Sequence, residues 1–122
     1  MKHLILLLIS VVAIFGCTAS KETPSMPPSA SGKIERIPDF RSKYVAARNI
    51  DVWLPENYSP GKKYAVLYMH DGQMLFDATT TWNKQEWGVD ETMSRLLKED
   101  KIREAIVVGI WNSGSNRPSD YF

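Results

Sequence analysis

The run Tyr64-Ala65-Val66-Leu67-Tyr68-Met69-His70-Asp71-Gly72-Gln73 constrains the fold of this chain more than any other stretch. Ala65 to Met69 is apolar throughout. It is predicted as a strand buried on both faces, as in the interior of a mostly parallel sheet. It ends in a polar turn that carries Gly72. In open α/β sheets chemistry gathers beyond the carboxyl ends of the strands, so this turn is where function is expected first. A second apolar run, Ala105 to Trp111, is predicted as another buried strand. Between the two, Val89, Met93, Leu96 and Leu97 fall at i, i+4, i+7 and i+8, which is one face of a helix. Asp90 and Glu91 stand near its start and Lys98 near its end, as the helix dipole prefers. Strand, loop, helix and strand make a βαβ unit, whose two strands run parallel.

Upstream, Ile34 and Ile37 suggest a short edge strand, and Tyr44-Val45 a further extended stretch. Ile50, Val52 and Leu54 alternate with Asp51 and Trp53 before Pro55 ends the run, which reads as a period-two strand. Asn57 to Gly61 is a turn by composition. His70 to Gln85 has no clean period and reads as a long loop, as does Asn112 to Asn116.

The chain has 122 residues, which allows one domain at most. Met1-Lys2-His3 is basic, and Leu4 to Phe15 is apolar apart from Ser10. That is short of the roughly 20 residues of a membrane span and matches the apolar region of a signal peptide. Residues 1–16 are assigned as signal peptide, 17–32 as a flexible Ser/Pro linker, and 33–122 as the domain. The linker composition cannot offset its own ordering entropy by apolar burial. Ile14-Phe15-Gly16-Cys17 resembles the lipobox of bacterial lipoproteins. The resemblance implies that Cys17 is lipidated and that the protein is exported and anchored to a membrane in the periplasm or outer membrane. An ordinary signal peptide and plain secretion are the alternative. Cys17 is the sole cysteine, so no intramolecular disulfide can form. The net charge is +1 without a basic run, so the footprint of a nucleic-acid binder is absent.

Several short motifs occur in a telling order. They are Asn49-Ile50-Asp51-Val52-Trp53-Leu54-Pro55, Tyr68-Met69-His70-Asp71-Gly72-Gln73, Phe76-Asp77, Trp82-Asn83, Glu86-Trp87-Gly88-Val89-Asp90-Glu91 and Val107-Val108-Gly109-Ile110. Together they resemble the N-terminal part of the Putative esterase family of α/β-hydrolases, which includes enterochelin-esterase-like proteins and carbohydrate esterases. The resemblance implies an α/β fold, present here as the N-terminal portion of an α/β-hydrolase sheet, strands plus one βαβ unit, and incomplete. It implies a serine esterase that works through an acyl-enzyme, without cofactor or metal, on a small-molecule or carbohydrate-linked ester.

The family's Gly-x-Ser-x-Gly elbow does not occur in the chain, and its histidines are His3 and His70. The nucleophile, acid and catalytic His are therefore expected downstream of Phe122, and the chain alone is expected to be inactive. By the same resemblance Gly72 and Gln73 are the oxyanion-hole candidates, and His70, Asp71 and Trp82 line the substrate. Read from the residues alone, Asp71-Gly72 is equally a plain turn after a strand. Trp87, at the start of the helix, is expected to be packed, and His70 to hydrogen-bond the loop. The competing function is a small non-catalytic lipoprotein that binds a ligand or partner.

Overall fold

A computed structural model describes residues 29–122; the expected signal peptide, Cys17 and most of the linker lie outside the described residues. Four strands form one mixed sheet: β1 (Lys33–Phe40), β2 (Arg48–Leu54), β3 (Ala65–His70) and β4 (Ala105–Ile110). Their spatial order is β1-β2-β4-β3. β1 and β2 pair antiparallel, β2 and β4 antiparallel, and β3 and β4 parallel. Helix α1 (Val89–Lys98) connects the parallel pair, which is the βαβ unit expected from sequence. A short helix α2 (Pro118–Tyr121) follows the β4 loop. The Tyr44-Val45 stretch is not a strand but part of an exposed bend between β1 and β2.

Register decides which side chains meet. Ile34 stands opposite Trp53, Trp53 opposite Val107, and Val107 opposite Leu67. Ile34, Trp53 and Val107 of this row pack into the core with Val89 and Met93, while Leu67, on the edge strand, stays exposed. Trp53 is fully buried, and its indole N–H donates to the Ser31 carbonyl at 2.7 Å. In β2 the buried positions after Ile50 are Asp51 and Trp53 as well as Leu54, while Ile50 and Val52 are only half-buried. Hydrophobic alternation alone had pointed to the opposite face of this strand.

The two apolar runs are not buried on both faces, as sequence had predicted. β4 alternates, with Ala105, Val107 and Gly109 buried and Ile106, Val108 and Ile110 half-buried. β3 is at the sheet edge, and Val66, Leu67 and Tyr68 are exposed. The cause is topological. α1 lies on one face of the sheet, the other face meets only Tyr121 of α2, at His70, among the ring contacts of the described residues, and the edge position of β3 leaves Leu67 open even on the α1 face.

The loop after β3 is not merely a connector. Residues Gly72–Met74 form a 3-10 turn, and Leu75 and Phe76 then insert into the core. Trp87 N–H donates to the Met74 carbonyl and Val89 N–H to the Leu75 carbonyl, so this turn sets where α1 begins.

The ordered domain starts before Lys33. Asp90, fully buried in the first turn of α1, accepts from the Ser29 hydroxyl at 3.1 Å and the Ala30 N–H at 2.8 Å. Ser94 donates to the Ser31 hydroxyl oxygen at 2.7 Å. Gly32 then turns into β1 with φ 76°, where a Cβ would lie 2.4 Å from the Leu54 carbonyl oxygen. Residues 29–32 are thus a strap at the amino-terminal end of β4, because Lys33 pairs with Leu54 and its neighbour Trp53 with Val107. His70 and Ile110 pair at the other end of the sheet.

Candidate active site

Parallel β3 and β4 deliver their two following loops to the same edge of the sheet. Asp71 leads the first loop in a left-handed conformation, φ 54° and ψ 42°. A non-glycine residue adopts this only against a steric cost, so something must hold it there. Its carboxylate supplies the hold. Arg117 donates to it twice, from Nε at 3.0 Å and Nη2 at 2.6 Å. Asn112 Nδ2 donates at 2.7 Å and the Tyr121 hydroxyl at 3.0 Å. All three donors come from the loop after β4 and from α2. Arg117 foremost, with Asn112 and Tyr121, holds the Asp71 carboxyl well below the usual carboxylate range. Burial, with the Asp71 hydrogen bond, pushes the Tyr121 phenol up.

A second set of bonds braces the β4 loop itself. Ser113 donates to Asp120 through both its N–H and its hydroxyl, each at 2.8 Å, and Arg48 of β2 reaches Asp120 at 3.2 Å. The Ser113 bonds, backbone first, keep the Asp120 carboxyl low. The Asn112 N–H donates to Gln73 Oε1 at 3.2 Å.

Gly72 is required by close approach. A Cβ there would lie 2.5 Å from the Gly109 carbonyl carbon, and one on Gly109 only 3.2 Å from the Gly72 Cα. Two glycines, one per strand end, let the turn sit directly on β4. Behind it lies a buried ion pair. Arg36 grips Asp51 through Nε at 2.6 Å and Nη2 at 2.8 Å, Trp111 Nε1 donates to Asp51 at 2.9 Å, and the guanidinium lies 4.6 Å from the centre of the Trp111 ring. Trp111 is committed to this structural network.

The structure brings Asp71, Gln73 and Trp82 to one open groove of about 770 Å3, which Asn112 and Arg117 also line. Trp82 is 87% exposed on its rim. Trp87 also lines the groove and is 53% exposed, not packed as sequence had predicted. His70 packs edge-on against the Tyr121 ring at 5.6 Å, where sequence reasoning had it hydrogen-bonding the loop. Its ring lies outside the groove lining. Asn112, Arg117 and Tyr121 were not anticipated. No spacing announces them, and only the parallel pairing of β3 and β4 brings their loop to Asp71. Among the described residues no cluster of His, Cys, Asp and Glu could hold a metal ion.

A mixed sheet with a βαβ unit and a braced glycine turn at the carboxyl ends of its parallel strands defines an α/β domain. The sequence profile of the Putative esterase family matches residues 44–121, and the chain belongs to that family. Among solved structures it is similar to a CE1 ferulic acid esterase from the anaerobic fungus Anaeromyces mucronatus, with 27% identity and a TM-score of 0.47. That match covers 70% of this chain and 31% of the fungal enzyme, so the chain spans less than a third of that enzyme's length.

Proposed function

We propose that the protein is a serine esterase and that residues 29–122 supply the oxyanion half of its site. The observation that carries this reading is the turn at Gly72 and Gln73. It is pressed onto Gly109 and fixed through Asp71, and the Gly72 and Gln73 N–H groups have no acceptor among the described residues. In acyl transfer a Ser attacks the ester carbonyl, a His takes its proton, and negative charge develops on the carbonyl oxygen. In α/β-hydrolases one donor to that oxygen comes from the loop after this strand, the other from the residue following the nucleophile. A donor that is already fixed costs no reorganisation when the charge appears. The nucleophile, acid and catalytic His are placed C-terminal to Phe122, since residues 1–122 contain no Gly-x-Ser-x-Gly. Lipidation of Cys17 and export to a membrane surface are part of the same proposal and rest on the lipobox-like residues 14–17.

The test reads the gene past the Phe122 codon and treats the whole product with a fluorophosphonate probe. The expected outcome is an elbow Ser that takes the probe and a later His whose replacement prevents labelling. The 122-residue chain alone should neither take the probe nor hydrolyse p-nitrophenyl acetate. A whole product without an elbow Ser, and without labelling, would overturn the esterase reading.

A further inference from the structure

We propose that the bend between β1 and β2 is a membrane-contact site, at which Phe40, Tyr44 and Val45 enter the lipid–water interface and Arg41 and Lys43 meet anionic headgroups. This contact is independent of the esterase reading. It is also distinct from any lipid on Cys17, since the folded domain itself makes it.

The bend is built rather than slack. The pairing of β1 with β2 shifts register between Ile37 and Phe40. Asp39 there adopts φ 46°, a left-handed conformation that is costly for a residue with a Cβ. Its N–H donates to Asn49 Oδ1 at 3.1 Å, which holds the irregularity in place. Irregularities of this kind re-aim the neighbouring side chains. Further on, the Tyr44 N–H donates to Ser42 Oγ at 3.1 Å. What this local structure presents to solvent is apolar. Tyr44 is 81% exposed, and Phe40 and Val45 are half-exposed.

The charges select the partner. Residues 37–48 carry Arg41, Lys43 and Arg48 against the single acid Asp39. Arg48 is engaged by Asp120 at 3.2 Å. Arg41 and Lys43 are exposed and have no ion-pair partner among the described residues; the Lys43 ammonium lies 4.9 Å from the centre of the Tyr44 ring. Aromatic rings beside uncommitted cations suit the membrane interface. The rings sit at headgroup level, and the cations are drawn by the negative surface potential of anionic lipid. A projecting tip of three apolar side chains is small for a protein partner, because a stable protein interface takes about 800 Å² from each side. It suffices for a lipid boundary that the tip enters by only a few ångströms.

The placement also fits. Ile50 pairs with Ile110, and Ile110 with His70, so the bend before Arg48 lies at the end of the sheet that carries Asp71. The strap enters β1 at its other end, Lys33. β1 has eight residues and is therefore about 26 Å long. Residues 18–28 separate Cys17 from Ser29, and fully extended they reach about 36 Å. An anchor at residue 17 and the bend can thus hold one membrane together, with the loops after β3 and β4 turned toward the lipid surface.

The test uses the full 122-residue chain with Cys17→Ser, mixed with lipid vesicles. A nitroxide is attached at Val45→Cys or, as control, at Asn57→Cys beyond the other end of β2. Both positions are exposed, so neither label disturbs the core. The vesicles are phosphatidylcholine alone or an equal mixture with phosphatidylglycerol. On the mixed vesicles the label at 45 should become accessible to oxygen and shielded from a water-soluble nickel complex, while the label at 57 stays aqueous. Arg41→Ala with Lys43→Ala should lower the ratio of immersed to aqueous label at 45 about thirtyfold, the loss of two surface cations. A label at 45 that stays aqueous on the mixed vesicles would overturn the proposal. Immersion that ignores both the lipid charge and the double substitution would do the same. So would equal immersion of the labels at 45 and 57, because the bend would then not be what docks. Immobilisation of the label at 45 without vesicles, growing with protein concentration, would replace the lipid by a second copy of the chain.

Discussion

Asp71 converts a costly backbone conformation into a fixed one by drawing four hydrogen bonds to a single carboxylate. Its replacement by Ala should destabilise the chain by about 1–3 kcal/mol, the range for lost hydrogen bonds to a charged group, because Arg117 is half-exposed and water screens the pair. Urea unfolding of the two proteins measures this. The same bonds set a pH dependence. The folded-state carboxyl lies below its unfolded value of about 3.9, so its contribution is complete above that value and is lost as pH falls through the folded one. The gap in Tm between wild type and Asp71→Asn should therefore hold from neutral pH down to about 5 and close in stronger acid. Gly72→Ala belongs to the same scale. Its new methyl would press on backbone rather than on a yielding side chain, and overpacking of this kind costs about 1–3 kcal/mol.

At the scale of elements, the buried pair between β1 and β2 makes a sharper claim. Asp51→Ala takes the carboxylate from the buried Arg36 guanidinium and from the Trp111 indole N–H, and should cost more stability than replacing both Arg36 and Asp51 by apolar residues of similar volume. A double-mutant cycle in urea separates the two outcomes. Glu86, just before α1, carries the opposite sign. Burial first, then the charges of Asp90 and Asp77, push its carboxyl up. An acid raised on folding opposes folding once ionised, so stability attributable to Glu86 falls as pH rises from its unfolded value of about 4.3 through the folded one. Glu86→Gln should accordingly raise Tm at neutral pH, with a gain that vanishes near pH 4. Much at this scale was legible in the sequence. The βαβ unit and α1 were readable because apolar period and length agree there. The tilt of β2 toward Asp51 and Trp53 was not, since a paired ion and a satisfied indole can occupy a core that hydropathy assigns to Ile50 and Val52. The inserted Leu75 and Phe76 were missed because two residues carry no period. Asp71 and Gln73 stood out as a polar glycine turn, while Asn112 and Arg117 could be connected to them only through the strand pairing.

Over the whole molecule, the face of the sheet opposite α1 carries apolar side chains that are half-buried or exposed, with Tyr121 packed at its His70 end. Ile37, Ile50 and Ile110 form one row across it, and Val52, Val108 and Tyr68 the next. Tyr68 is 68% exposed on β3, whose outer edge is unpaired among the described residues. An apolar face ending in an open edge is a template for association. Residues 29–122 should therefore sediment as oligomers as concentration rises, and Val66→Lys with Tyr68→Lys should return them to monomer without lowering Tm. A strictly monomeric wild type at high concentration would contradict this. The strap at Ser29 to Gly32 bears on how the protein can be handled. It leaves the domain at the end of the sheet remote from the Trp82 rim, and Asp90, Trp53 and Ser94 fix its point of departure. A bead, sensor chip or fusion partner coupled through the amino terminus would therefore leave the groove open to solution, whereas coupling near Phe122 would crowd it.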